Sequence, residues 1–178
     1  EKNQLRLVYR VAGKGTAEFS NLKAGDRVYL LGVLGNGFPV DKAKPGTKAM
    51  LFGGGIGVPP ILQLSKELSC EKQIVVGYRN AQCFLKEYFE QNGAVYVATE
   101  DGSVGTKGNV MDAVAANGLE ADIIYACGPM PMLRANMGMA RLRSWSNRPC
   151  AASFSFSRWN ASYRAPTPAR RMASTLIW

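Results

Sequence analysis

The chain has 178 residues, 47% hydrophobic and 20% charged, with four Cys and no His, so His-based triads, proton shuttles and His metal ligands are excluded. No apolar run reaches the roughly 18 residues a membrane span needs, and no basic segment followed by an apolar stretch opens the chain; a cytoplasmic, non-membrane protein is expected. All but one of the nine net positive charges reside in the last 45 residues: residues 1–133 hold 14 Lys plus Arg against 13 acids, whereas residues 134–178 hold eight Arg and no acid.

From Gln4 to Ala12 apolar and polar residues alternate, which predicts a strand that Gly13-Lys14-Gly15 breaks. Glu1 lies close to that strand, and a missing beginning is expected. Thr16 suits the cap of a short helix running toward Leu22, and Ala24-Gly25-Asp26 is a turn before a β-rich run, Arg27 to Leu31. After Gly35 to Pro39 and a linker around Lys42 to Gly46, the rhythm changes. Strands are predicted at Lys48–Phe52, Ile74–Tyr78, Val95–Thr99 and Asp122–Cys127. Helices are predicted at Pro59 to about Ser69, Phe84–Gln91 and Gly108–Asn117, with another starting after Gly128-Pro129. This alternation is the pattern of a parallel sheet, so residues 45–136 read as one small doubly wound α/β domain. After Arg134 no useful periodicity remains, although all three Trp (Trp145, Trp159, Trp178) lie there.

The strongest local signal is the loop from Gly53 to Pro60, which joins a strand end to a helix start. Unpartnered N–H groups and the helix dipole make such a turn an anion site, and glycines let a diphosphate approach. Val58 stands where the third glycine of G-x-G-x-x-G would be, so a glycine-rich turn with no ligand stays open. Asp101 to Gly108 misses the P-loop spacing; it follows the third strand, where polar groups bind ribose hydroxyls or simply cap a helix. Cys127-Gly128-Pro129 ends the fourth strand on the same edge, and no His is present to activate the thiol. The spacing of Cys70, Cys83, Cys127 and Cys150 supports neither a zinc site nor a disulfide framework, and no metal ligands are assigned.

Taken in order, Val8-Tyr9-Arg10-Val11, Gly13-Lys14-Gly15-Thr16, Leu34 to Phe38, Gly53 to Pro60, Thr99 to Gly108 and Cys127 to Leu133 resemble the ferredoxin reductase-type flavoproteins. Within that group they look most like the electron-transfer subunits of NAD-linked dihydroorotate dehydrogenases. The resemblance implies the C-terminal part of an antiparallel FAD-binding β-barrel over residues 1–44, then a small parallel-sheet NAD(P)-binding α/β domain over 45–136. A tail, 137–178, follows. Val8, Tyr9 and Arg10 would line the flavin, and Gly15 and Thr16 would meet the FAD diphosphate. Gly53, Gly54, Gly55 and Gly57 would hold the nicotinamide nucleotide's diphosphate, and Thr99, Asp101 and Ser103 its ribose hydroxyls. Cys127, with Gly128 and Pro129, would position the nicotinamide ring without attacking it. FAD and NAD are the implied cofactors, and hydride passing directly between them requires no protein acid or base.

The implied partner is a catalytic dehydrogenase subunit in a hetero-oligomer, oxidising dihydroorotate in pyrimidine biosynthesis; NAD(H) is the small-molecule partner. Flavoprotein subunits serving glutamate synthase-like or sulfide dehydrogenase partners share these motifs and rank second, and Arg79 leaves NAD against NADP open. A third reading is a non-catalytic nucleotide-binding module with a basic arm. Two features depart from the family: the first half of the barrel is absent, and the [2Fe–2S] cluster expected in the family needs four thiolates where the tail has only Cys150. The loss of Lys, Asp, Glu and periodicity is read as a shift of reading frame near Arg134 to Arg141. The alternative is a real Arg-rich arm for single-stranded nucleic acid or an acidic partner, and nucleic-acid binding is not expected.

Overall fold

A computed structural model describes residues 5–31, 37–144, 151–154 and 175–177, with side chains described up to residue 138. Cys150, the three Trp and most of the Leu34 to Phe38 motif lie outside the described residues. The chain divides into two compact units, 1–36 with 157–178, and 37–156.

In the first unit β1 (Arg6–Val8) pairs antiparallel with β8 (Thr175–Ile177), Leu7 opposite Leu176. The strand predicted from Gln4 to Ala12 is shorter than expected, and Arg27 to Leu31 has no strand pairing. A β-rich run forms a strand only when a neighbour supplies the ladder. Tyr29 and Leu31 are left exposed there. The short helix α1 (Lys14–Phe19) has Gly13 as its N-cap. Thr16 caps it from the third helical position: its hydroxyl accepts from the N–H groups of Ala12 and Gly13, at 2.9 and 3.1 Å. Tyr9 packs edge-on against Phe19, ring centroids 5.1 Å apart.

The second unit is built on a parallel sheet. β2 (Lys48–Gly54), β3 (Glu71–Tyr78), β4 (Ala94–Thr99), β5 (Thr106–Lys107), β6 (Ile123–Cys127) and β7 (Ala151–Phe154) lie in the order β5-β4-β3-β2-β6-β7. Ala49, Met50, Leu51 and Phe52 of β2 have no exposed surface, as expected of a central strand covered on both faces. One face carries Met50, Phe52, Val75, Ala98, Ile124 and Ala126, packed against α4 (Val110–Ala116) and Leu133 of α5 (Met130–Ser144). Alternation turns Leu51, Ile74, Val76 and Tyr125 to the other face, where α2 (Val58–Glu67) buries Val58, Ile61, Leu62 and Leu64. Tyr125 donates to the Pro39 carbonyl at 2.9 Å and meets Phe38 edge-on, fixing residues 37–39 over that face.

Three local differences from the sequence reading have physical causes. The second helix of the unit shrinks to α3 (Lys86–Phe89), because Leu85 sits at φ +63 and cannot start a helix before it. The Phe84 carbonyl is instead held by the Tyr78 hydroxyl at 2.8 Å. α5 runs ten residues past Arg134, carried by the helix propensity of Ala, Leu, Met and Arg where no amphipathic period marks it. β7, unforeseen in the aperiodic tail, pairs with the otherwise open edge of β6, Ile123 opposite Ala151.

Asn136 of α5 is fully buried, and neither atom of its amide has a hydrogen-bond partner. An unsatisfied amide in that position costs about 1–3 kcal/mol. Asn136→Leu should therefore raise the urea midpoint, corresponding to about 1–2 kcal/mol of added stability. An unchanged or lower midpoint would show that the amide finds partners on folding.

Candidate functional site

The sheet order creates a topological switch point. From β2 the chain moves outward through β3, β4 and β5, then returns to place β6 on the other side of β2. Ligands in open α/β sheets bind outside the carboxyl ends of the strands at such a reversal. Here Gly53 of β2 is paired with Cys127 of β6, so the two turns that follow, Gly53 to Gly57 and Cys127 to Pro129, leave the sheet side by side.

Their glycines do different work. A Cβ on Gly57 would fall on the carbonyl of Cys127 and within 2.7 Å of the Gly128 nitrogen. Gly57 therefore serves the closure of one turn on the other. A Cβ on Gly54 would lie 2.7 Å from the Met132 sulfur, and one on Gly128 would be 2.5 Å from the Met132 methyl. A Cβ on Gly53 would sit 3.3 Å from the Val58 Cα, at the base of α2. Gly55 alone among these five faces open space, and its φ of +54 is the left-handed conformation that favours glycine.

The donors of this turn lie before the helix. Residues Gly55–Gly57 form a 3-10 turn, and Val58 gives its N–H to the Gly55 carbonyl. Pro59 and Pro60, in the first turn of α2, have no N–H to give. An anion at this turn is met by main-chain donors of the Gly55-Ile56-Gly57 stretch. Ile56, 50% exposed, and Met130, 42% exposed, leave apolar surface on the two turns.

The Cys127 thiol is partly buried, and burial pushes its pKa up, so it is held as a thiol. Such a sulfur packs; it does not attack. At the end of β4, the three polar residues separate into different roles. Thr99 is fully buried, and its hydroxyl donates to the Val104 carbonyl at 2.8 Å while accepting from the Val104 N–H at 3.2 Å. The Thr99 hydroxyl, expected near a ribose, is engaged in closing the loop. Asp101 is exposed and accepts from the Ser103 hydroxyl at 2.6 Å and the Ser103 N–H at 2.9 Å. Those hydrogen bonds, the hydroxyl's first, hold its carboxyl below the usual range. Ser103 spends its proton on Asp101, which keeps free acceptor capacity toward solvent. The cap of α4 comes from Asn109, whose side chain accepts from the Met111 N–H at 2.7 Å, with Asp112 reaching back to the Asn109 N–H at 2.7 Å. Arg79, past β3, is exposed.

In the first unit, Val8 and Tyr9 are partly buried and Arg10 is exposed. The Tyr9 hydroxyl is buried without a partner. Thr16 has spent its hydroxyl proton on the Gly13 carbonyl at 3.1 Å, so Gly15 and Thr16 offer main-chain N–H groups of a first helical turn. Among the described residues there is no cluster of three or more His, Cys, Asp or Glu able to hold a metal, and Cys70, Cys83 and Cys127 are free. No described helix is long and apolar enough to cross a membrane. In sequence Met132 reads, with Met130, Met137 and Met139, as helix packing and not as part of a cofactor site; the signal that links it to the turns is its place four residues after Gly128 on a helix start.

Gly57→Ala should lower stability by about 2–3 kcal/mol, because the Cys127 main chain beneath the new methyl group cannot give way. Gly55→Ala should cost about 1 kcal/mol, the strain of its backbone conformation alone. Urea denaturation of both variants checks this, and equal losses would contradict the separation of roles.

No family model matches the chain. It is 48% identical over 139 residues to the dihydroorotate dehydrogenase B (NAD(+)), electron transfer subunit, of Bacillus caldolyticus, covering 76% of this chain and 54% of that protein. The protein of the same name from Bacillus mycoides (strain KBAB4) is 44% identical over 147 residues, 80% of this chain and 57% of the relative. The chain thus spans about half the length of the curated relatives it matches. A solved structure of an NADH-dependent reduced ferredoxin-NADP oxidoreductase, studied for flavin-based electron bifurcation, superposes with a TM-score of 0.65 at 29% identity. That match covers 83% of this chain and 53% of the other. The resemblance carried by the six ordered motifs is borne out: over about three quarters of its length this chain is similar, at 44–48% identity, to the electron transfer subunits of dihydroorotate dehydrogenase B.

Proposed function

We propose that the chain is part of an electron-transfer flavoprotein that works between a partner dehydrogenase and NAD, with FAD held by residues of the first unit and the nicotinamide nucleotide by the second. The observation that carries the reading is the pair of turns at the switch point. Gly55, open where a side chain would project, belongs to a turn that Gly57 closes on the main chain of Cys127, whose partly buried thiol is kept neutral by burial. The names of the relatives and of the solved structure support the same direction.

The second unit fits a dinucleotide. The open cradle at Gly55 admits a diphosphate against main-chain donors. Asp101, anchored by Ser103, accepts from ribose hydroxyls, and the exposed Arg79, whose carbonyl accepts from the Asp101 N–H, leaves NAD against NADP open. Cys127, with Gly128 and Pro129, bounds the place of the nicotinamide ring. The first unit fits a flavin less completely: the unpartnered Tyr9 hydroxyl and the first-turn N–H groups of Gly15 and Thr16 are available to one. Residues 1–44 in this reading contribute to an FAD-binding barrel whose remaining strands lie elsewhere in the whole protein. When both cofactors are bound they supply all of the redox chemistry, a hydride exchanged between nicotinamide and flavin. The protein's residues hold the rings and the phosphates, and a chain with no His supplies no imidazole as acid or base.

In the whole protein, electrons from dihydroorotate oxidised by a catalytic subunit would reach NAD by this route, in the cytoplasm. A [2Fe–2S] cluster does not fit the described residues, because Cys70, Cys83 and Cys127 do not form a ligand cluster.

Gly55→Asp places a carboxylate where the diphosphate would lie, and should weaken NADH binding at least tenfold, while Cys150→Ser leaves it unchanged. Nicotinamide fluorescence reads both. Equal affinity in Gly55→Asp and the parent would remove the site from this turn. Failure of the FAD-supplemented chain to pass electrons from NADH to a dye would confine the reading to nucleotide binding.

A further inference from the structure

We propose that Met132 is a positioning residue for the nucleotide site, its thioether setting the spacing between the Gly53–Gly57 turn and the Cys127–Pro129 turn. The inference rests on the nicotinamide-nucleotide reading and deepens it. Met132 lies in the first turn of α5 and is partly buried against the core cluster that includes Phe52, Ala126 and Leu133. The end of its side chain reaches both turns at once. The sulfur is 2.7 Å and the methyl 3.5 Å from where a Gly54 Cβ would be, and the methyl is 2.5 Å from where a Gly128 Cβ would be. The two glycines are themselves in contact, the Gly128 Cβ position lying 3.2 Å from both N and O of Gly54.

Glycine at 54 and 128 thus vacates the volume that the S–CH3 group fills. An unbranched, polarisable side chain suits this place, since a branched one of similar size cannot lie across two backbones. Removing the thioether takes away the common floor of the turns while leaving each turn's own hydrogen bonds in place. A ligand that touches only the Gly55 side is then little affected, whereas one that spans to Cys127 loses its fit. Met132 touches neither phosphate nor ring; it acts through Gly54 and Gly128.

The test uses the full chain and three variants, Met132→Ala, Gly54→Ala and the double variant, with thermal unfolding to verify folding. NADH is the spanning ligand, and ADP carries the diphosphate without the nicotinamide half. Met132→Ala should weaken NADH about tenfold with ADP affinity kept within about twofold, and Gly54→Ala, which lies in the diphosphate turn itself, should weaken NADH at least as much. The double variant should recover NADH affinity to within about threefold of the parent, because the methyl of the new alanine occupies the vacated volume. Should Met132→Ala unfold, Met132→Leu keeps apolar volume but not the reach, and should show the same split between NADH and ADP. Equal loss of NADH and ADP in Met132→Ala, or additive NADH losses in the double variant, would overturn the proposal. A parent that binds NADH while the single variants bind it equally well removes only the role of Met132. A parent that binds no NADH removes the nucleotide reading and this proposal together.

Discussion

Where Gly57 meets Cys127, two main chains approach so closely that any side chain on the first would occupy the carbonyl of the second. That closeness follows from the pairing of Gly53 with Cys127 in the sheet and from the helix that must begin at Val58. A strand that ends in a helix start needs a tight turn, and a neighbouring strand ending at the same level leaves no room for a Cβ inside it. The open backbone at Gly55 and the placement of Cys127 both depend on this one contact. It explains why a run of glycines stands here even before any ligand is considered.

The remaining edge is organised by hydrogen bonds, with Tyr78 also packing edge-on against Phe84. Thr99 closes the loop that follows β4, so that Asp101 and Ser103 project from a fixed base. Tyr78 does the same for the loop after β3 by holding the Phe84 carbonyl, and burial, with Cys83 second, keeps its hydroxyl protonated. These are rigid supports for a binding edge. The residues on it stay ionised or neutral as binding requires: burial keeps the Cys127 thiol neutral, and the Ser103 hydroxyl stabilises the Asp101 carboxylate.

The four main strands of the second unit were legible because each is a short apolar run bounded by glycine, proline or polar residues. The strand ends and glycine-rich turns on which the proposed site rests were legible for the same reason, since they are local features. The separate duties of the glycines were not, because what Gly57 and Gly54 avoid lies 70 or more residues away, at Cys127 and Met132. That the Thr99 hydroxyl bonds Val104 was not legible, because that partner offers only backbone. The start of α3 was misplaced because nothing in the composition marks Leu85 as left-handed. In residues 141–178, β7 arises from pairing with β6 and not from its own pattern. The burial of Asn136 with no partner falls just where the composition changes, a place where sequence and packing disagree.

Amide hydrogen exchange with and without saturating NADH tests the central claim most directly. If the paired turns at the switch point form the nucleotide site, NADH should slow exchange together in peptides covering Gly53 to Gly57 and Cys127 to Met130, with the outer end of α4 unchanged. Protection confined to other segments, or no protection at either turn while NADH is bound, would contradict the account.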